Sequence, residues 1–68
     1  MLYKTYSCEI IDGDIDFIER GEEKGKSEDL NEMKKLANTL DRESRRNGSS
    51  STIHLIYDEN DHRVIVID

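Results

Sequence analysis

Ser27-Glu28-Asp29-Leu30-Asn31-Glu32-Met33-Lys34-Lys35-Leu36-Ala37-Asn38-Thr39-Leu40-Asp41-Arg42-Glu43-Ser44-Arg45-Arg46-Asn47-Gly48 is the stretch on which the fold turns. Leu30, Met33, Ala37 and Leu40 recur at steps of three and four, with Leu36 beside them. They mark one face of an amphipathic helix. Glu32, Lys35, Asn38, Thr39, Arg42, Glu43 and Arg46 fall mostly on the other side. Ser27 is the expected N-cap, since its hydroxyl can accept a first-turn N–H. Glu28 and Asp29 suit the positive end of the helix dipole, and Arg42, Arg45 and Arg46 the negative end. Asn47-Gly48 supplies the left-handed stop. The spacing therefore predicts a helix over 27–47. A lone helix cannot bury its own apolar face, so the flanking segments must provide a surface for it.

Both flanks read as β-hairpins. In 1–20, Asp12-Gly13 is a two-residue type I′ signal, because both central residues need positive φ. That turn sets Ile11 opposite Asp14, Ile10 opposite Ile15, Cys8 opposite Phe17 and Tyr6 opposite Glu19. Leu2, Tyr6, Cys8, Ile10, Ile15 and Phe17 then share one face, expected under the helix. Thr5, Ser7, Glu9, Asp16, Ile18 and Arg20 share the other. Gly21 to Lys26 reads as a charged loop. In 52–68, Asp58 to His62 fits a three-residue turn with a left-handed asparagine or aspartate. Tyr57 then pairs with Arg63, Leu55 with Ile65 and Ile53 with Ile67, on the side expected to meet the helix. His54, Ile56, Val64 and Val66 point away.

The order strand, strand, helix, strand, strand predicts a single α+β domain over 1–68. It is expected as a two-layer ββαββ sandwich with one helix on one face of a four-stranded sheet. A right-handed crossover predicts strand order 2-1-4-3. The layout, with its opening Met-x-Tyr-Lys and a helix ending near Asn-Gly, resembles the immunoglobulin-binding domains of protein G. The resemblance is one of topology. That family's binding residues find no match here, and it implies no function.

Composition narrows the function classes. Hydrophobic residues make up 34% of the 68 and charged residues 38%, a lean supply for a domain that buries about 60% of its unfolded surface. No apolar run approaches the ~20 residues of a membrane span. The N-terminus lacks the pattern of a signal peptide. The single Cys8 excludes an internal disulfide, and a cytoplasmic location is expected. Net charge is −6. Residues 1–23 contribute −5, residues 24–46 +2 and residues 47–68 −3. Acidic strand segments disfavour direct nucleic-acid binding and favour a partner with a basic surface.

No constellation points to catalysis or a cofactor. Gly21-Glu22-Glu23-Lys24-Gly25-Lys26-Ser27 ends like a phosphate loop, but it is one residue short between glycines and carries two glutamates. Asp12, Asp14, Asp16 and Glu23 imitate a calcium-loop spacing, but Phe17 stands where glycine is required. His54 and His62 have no third ligand at a useful spacing. Ser49-Ser50-Ser51 has no base placed beside it. Cys8 reads as a small core residue. Arg42, Arg45 and Arg46 read as dipole complements, with Asp41–Arg45 and Glu43–Arg46 pairs at helical spacing.

The chain is thus expected to be a small acidic binding protein and not an enzyme. In size, acidity and lack of chemistry it resembles phage-encoded inhibitors of the anti-CRISPR type. That resemblance implies an inhibitor occupying a basic surface of a nucleic-acid-handling protein. The expected contact residues are Glu9, Asp14, Asp16, Ile18, Ile56, Val64 and Val66. Glu9 and Asp16 are expected face to face across the first hairpin, a like-charge pairing that stability alone would not favour. The alternative is a homodimer, or a small subunit of a larger assembly, joined through Ile56, Val64 and Val66.

Overall fold

The computed structural model describes residues 1–14, 16–49 and 51–65. It is a small α+β fold, one helix on a four-stranded antiparallel sheet. The strands are β1 (Tyr3–Ile10), β2 (Ile18–Ser27), β3 (Thr52–Asp58) and β4 (Arg63–Val64), and the helix is α1 (Leu30–Arg46). A 3₁₀ turn occupies Ile11–Gly13.

The strand order is β2-β1-β3-β4, not the expected 2-1-4-3. β1 and β3 form the centre and pair antiparallel from Tyr3 with Asp58 to Glu9 with Thr52. Among the described residues, β4 pairs with β3 at Ile56 with Val64 and Tyr57 with Arg63. All seven β3 residues find antiparallel partners on β1, and that ladder takes the central place expected for the last strand.

The first hairpin departs from its expected register. Asp12 and Gly13 do take positive φ, 53° and 71°, and the Asp14 N–H donates to the Ile11 carbonyl at 3.0 Å. The local turn is therefore the one the dipeptide favours. The strand does not resume after it. The Phe17 N–H donates back to the Asp14 carbonyl at 2.9 Å, and the Ile11 N–H to the Phe17 carbonyl at 2.8 Å. The connection becomes a loop, and Ile10 pairs with Ile18, Glu9 with Glu19 and Cys8 with Arg20. The expected pairing of Ile10 with Ile15 involves a residue outside those described.

β2 also runs through the stretch expected as a loop. Gly21 to Lys26 continues the strand, with register shifts opposite Thr5/Tyr6 and Tyr6/Cys8. A Cβ on Gly21 would sit 2.7 Å from the Ser7 carbonyl oxygen, and one on Gly25 2.5 Å from Leu36 Cδ2. These glycines permit close approach inside a strand, where bulges and glycine often coincide. Because β2 extends to Ser27, the helix starts later than expected. Asp29 is the N-cap and accepts from the Asn31 N–H at 2.9 Å. Ser27 accepts from the Asp29 N–H at 3.0 Å and donates to Glu32 at 2.6 Å.

α1 covers the sheet face opposite to the expected one. Met33 and Ala37 bury with Ile56, and Tyr3, Leu30, Leu36 and Val64 pack around them. Thr5 is fully buried and donates to Met33 Sδ at 3.3 Å. The covered face holds Thr5 and Gly25, paired directly across β1 and β2, and their small size leaves room for Met33 and Leu36. Tyr6, Cys8, Leu55 and Tyr57, expected beneath the helix, lie on the uncovered face. The second hairpin otherwise follows expectation near its turn. Tyr57 pairs with Arg63, the Asp58 N–H donates to the His62 carbonyl at 2.9 Å, and Asp61 takes the left-handed position with φ 64°. The expected partner of Ile53, Ile67, lies outside the described residues.

Candidate functional site

Among the described residues, three places are candidates for a site. The first is the junction of α1 and β3. Asp41 Oδ1 accepts from both the backbone N–H of His54, at 2.9 Å, and its ring Nδ1, at 2.8 Å. His54 is 7% exposed. A cleft of about 190 Å³ lies beside the pair, between Lys34 of α1 and Arg63 on edge strand β4. Among the described residues, the lining holds no hydroxyl or thiol that the imidazole could activate. One carboxylate oxygen satisfying two donors of one residue makes this a tether between helix and sheet.

The second place is the tip of the first hairpin. Asp12, Asp14 and Asp16 are exposed there. Asp14 Oδ1 accepts from the Asp16 N–H at 3.0 Å, which helps hold the loop. Phe17 is 64% exposed at the end of this acidic run. A benzyl group left in water forgoes the burial that usually recovers about 1.5–3 kcal/mol.

The third is the open face of the sheet. Tyr6 on β1 and Tyr57 on β3 meet edge to face, ring centroids 5.5 Å apart. The Arg20 guanidinium lies 4.7 Å from the Tyr6 centroid and 4.8 Å from that of Tyr57. It is held by both carboxylate oxygens of Asp61 in the β3–β4 turn, one contact at 3.2 Å. Arg20 thus reaches from edge strand β2 across the central strands to the opposite turn. The guanidinium hydrogen bond holds the Asp61 carboxyl below its usual range, and the same bond raises Arg20. Cys8, on this face, is fully buried, and burial pushes its thiol up.

The residues expected as contacts are dispersed. Asp14 and Asp16 lie on the exposed tip. Glu9 does not face Asp16. It pairs with Glu19 and Thr52, and its carboxylate accepts from Thr52 Oγ1 at 2.7 Å and Ser51 Oγ at 3.2 Å. The two-turn loop shifted the register and moved Asp16 off the strand. Ile18 pairs with Ile10 and is half-buried. Ile56 is 3% exposed beneath α1, and Val64 is half-buried against the same core. They are therefore not an outward patch, because the helix packs on their side of the sheet. Val66 lies outside the described residues.

Sequence reading missed Phe17, assigned to the core, and the cluster of Tyr6, Tyr57 and Arg20. The alternation signal placed both tyrosines on one face correctly. It could not say that this face would stay open. Comparison with known protein families, curated proteins and solved structures finds no match to this chain. Among the described residues, no helix is long and apolar enough to cross a membrane.

Proposed function

We propose that this chain is a small non-enzymatic binding protein that acts by occupying a basic surface of a protein partner, with the tip of the first hairpin as its contact. The observation that carries the reading is an exposed Phe17 ending an exposed run of Asp12, Asp14 and Asp16. An aromatic anchor beside charged residues is the composition of an interface centre and its rim. The directly opposed Glu9 and Glu19 add negative charge at the same end of the sheet. Cross-strand like charges weaken pairing, and a cationic partner would relieve them. Inhibition of a nucleic-acid-handling protein is the role such a surface suits, since carboxylates compete with phosphates for the same lysines and arginines. A reducing compartment such as the cytoplasm suits the lone buried Cys8.

The alternative of a homodimer through Ile56, Val64 and Val66 loses its support, because Ile56 and Val64 serve the helix–sheet core.

The reading is tested by affinity capture with the wild-type chain and with the double variant Phe17→Ser/Asp16→Lys as bait, at low and high salt. A partner should be retained by the wild type, released by salt, and missed by the variant at unchanged circular dichroism. Equal retention by both baits would refute the tip as the contact.

A further inference from the structure

The geometry points to the open face of the sheet as a binding surface for single-stranded nucleic acid, with the Arg20 guanidinium, seated on Tyr6 and Tyr57, as the stacking plane and Lys4, Lys26 and Arg63 as a phosphate-contacting row. The net charge of −6 argues against such a ligand for the chain as a whole. The fold sorts that charge by face. Direct pairing joins Lys26 to Lys4, Lys4 to Tyr57 and Tyr57 to Arg63. Cross-strand partners share a face, so these side chains form one row over all the strands of the sheet. With strands about 4.8 Å apart, the row spans roughly 14 Å.

The ion pairs on this face leave two cations over. Glu23 lies 3.6 Å from Lys4, and Asp61 holds Arg20. Lys26 and Arg63 have no ion-pair partner among the described residues. Lys4 and Lys26 stand directly opposite each other. That arrangement costs pairing energy within the domain and is relieved when an anion lies over both.

The aromatic groups select among anions. Tyr6 and Tyr57 lie on the two central strands, with no helix above them among the described residues. The Arg20 guanidinium over both rings is itself a plane on which a base can stack. Unpaired bases offer a π face at every nucleotide, and base–aromatic stacking tolerates any sequence. A duplex hides those faces, and an acidic peptide lacks them at most positions.

The test titrates the full chain with a labelled oligothymidylate at low salt, reading anisotropy and intrinsic tyrosine emission. The chain has three tyrosines and no tryptophan, and Tyr3 packs on the helix side, so a change in emission on binding to the open face reports on Tyr6 and Tyr57. Binding should quench that emission. Tyr57→Leu should weaken binding about tenfold, while Tyr57→Phe, which keeps the ring, should restore it. Lys26→Glu and Arg63→Glu should each flatten the dependence of log affinity on log salt by about 0.7. Circular dichroism confirms that each variant is folded. The proposal is overturned by unchanged tyrosine emission with flat anisotropy to about 100 µM protein. It is equally overturned if a duplex of the same length binds as well, or if oligoglutamate displaces the oligonucleotide at equal charge concentration.

Discussion

The two faces of the sheet differ in a way their hydropathy does not announce. The face with Ile53, Leu55, Tyr57, Tyr6 and Cys8 carries the larger apolar side chains beside its row of cations, yet it is the open one. The face with Thr5, Gly25, His54, Ile56 and Val64 is mixed, yet α1 covers it. Small residues leave steric room on the covered side, where a Cβ on Gly25 would sit 2.5 Å from Leu36 Cδ2. One polar tether, Asp41 to His54, holds the helix down at the other end. The open face compensates with large side chains that cover each other, Arg20 lying over both tyrosines. Apolar character therefore marks which residues share a face, and small side chains mark where a second layer can sit.

The strongest way to break this comparison uses neighbours on β3. Ile56→Asp buries a charge under the helix and should abolish the folded state, since the penalty rivals the whole stability of about 5–15 kcal/mol. Leu55→Asp, one residue away on the open face, should lower the melting temperature and retain native circular dichroism. Unfolding by Leu55→Asp alone would exchange the two faces.

The tether comes next. Asp41→Ala leaves the buried His54 donors without an acceptor and should cost about 1–3 kcal/mol in chemical denaturation. Asp41→Asn keeps an acceptor oxygen and should recover most of the loss. Equal loss in the two variants would mean that negative charge, not hydrogen bonding, matters at this site.

Cys8 sharpens the comparison from the open side. It is fully buried without a helix above it, and burial raises its thiol. Alkylation by iodoacetamide at neutral pH should proceed only through opening of the fold, at the rate of global or sub-global unfolding. Rapid stoichiometric labelling of the native chain would show that the open face is looser than its packing.

The smallest effect concerns Asp61. Its folded carboxyl is held below the ordinary range by Arg20. The clamp is therefore fully formed above the unfolded carboxylate range and is lost as pH falls through the lowered folded value. Tyrosine emission should change in that acid window as the guanidinium leaves the rings, and Asp61→Asn should show the released signal already at neutral pH. An acid titration of emission identical in wild type and variant would remove the clamp from the account.

Much of the architecture was legible in the chain. The period of Leu30, Met33, Ala37 and Leu40 defines the helix because side-chain burial repeats every 3.6 residues. Asp12-Gly13 and Asp58 to His62 define their local turns because few residues adopt positive φ at low cost. What followed the first turn carried no such signal. A second turn closing on Phe17 shifted the first register, removed Asp16 from the strand and set Glu19 opposite Glu9. Glycines at 21 and 25 read as loop residues because their freedom is a sequence property, while close contact with Ser7 and Leu36 exists only in the assembled sheet. The sequence by itself determined one helix, two hairpin turns and which residues alternate together. Only tertiary structure decided the strand order, the face under the helix and the gathering of Lys4, Lys26, Arg63, Arg20 and the two tyrosines. Those depend on pairings and steric fits between residues far apart in the chain, which no local period encodes.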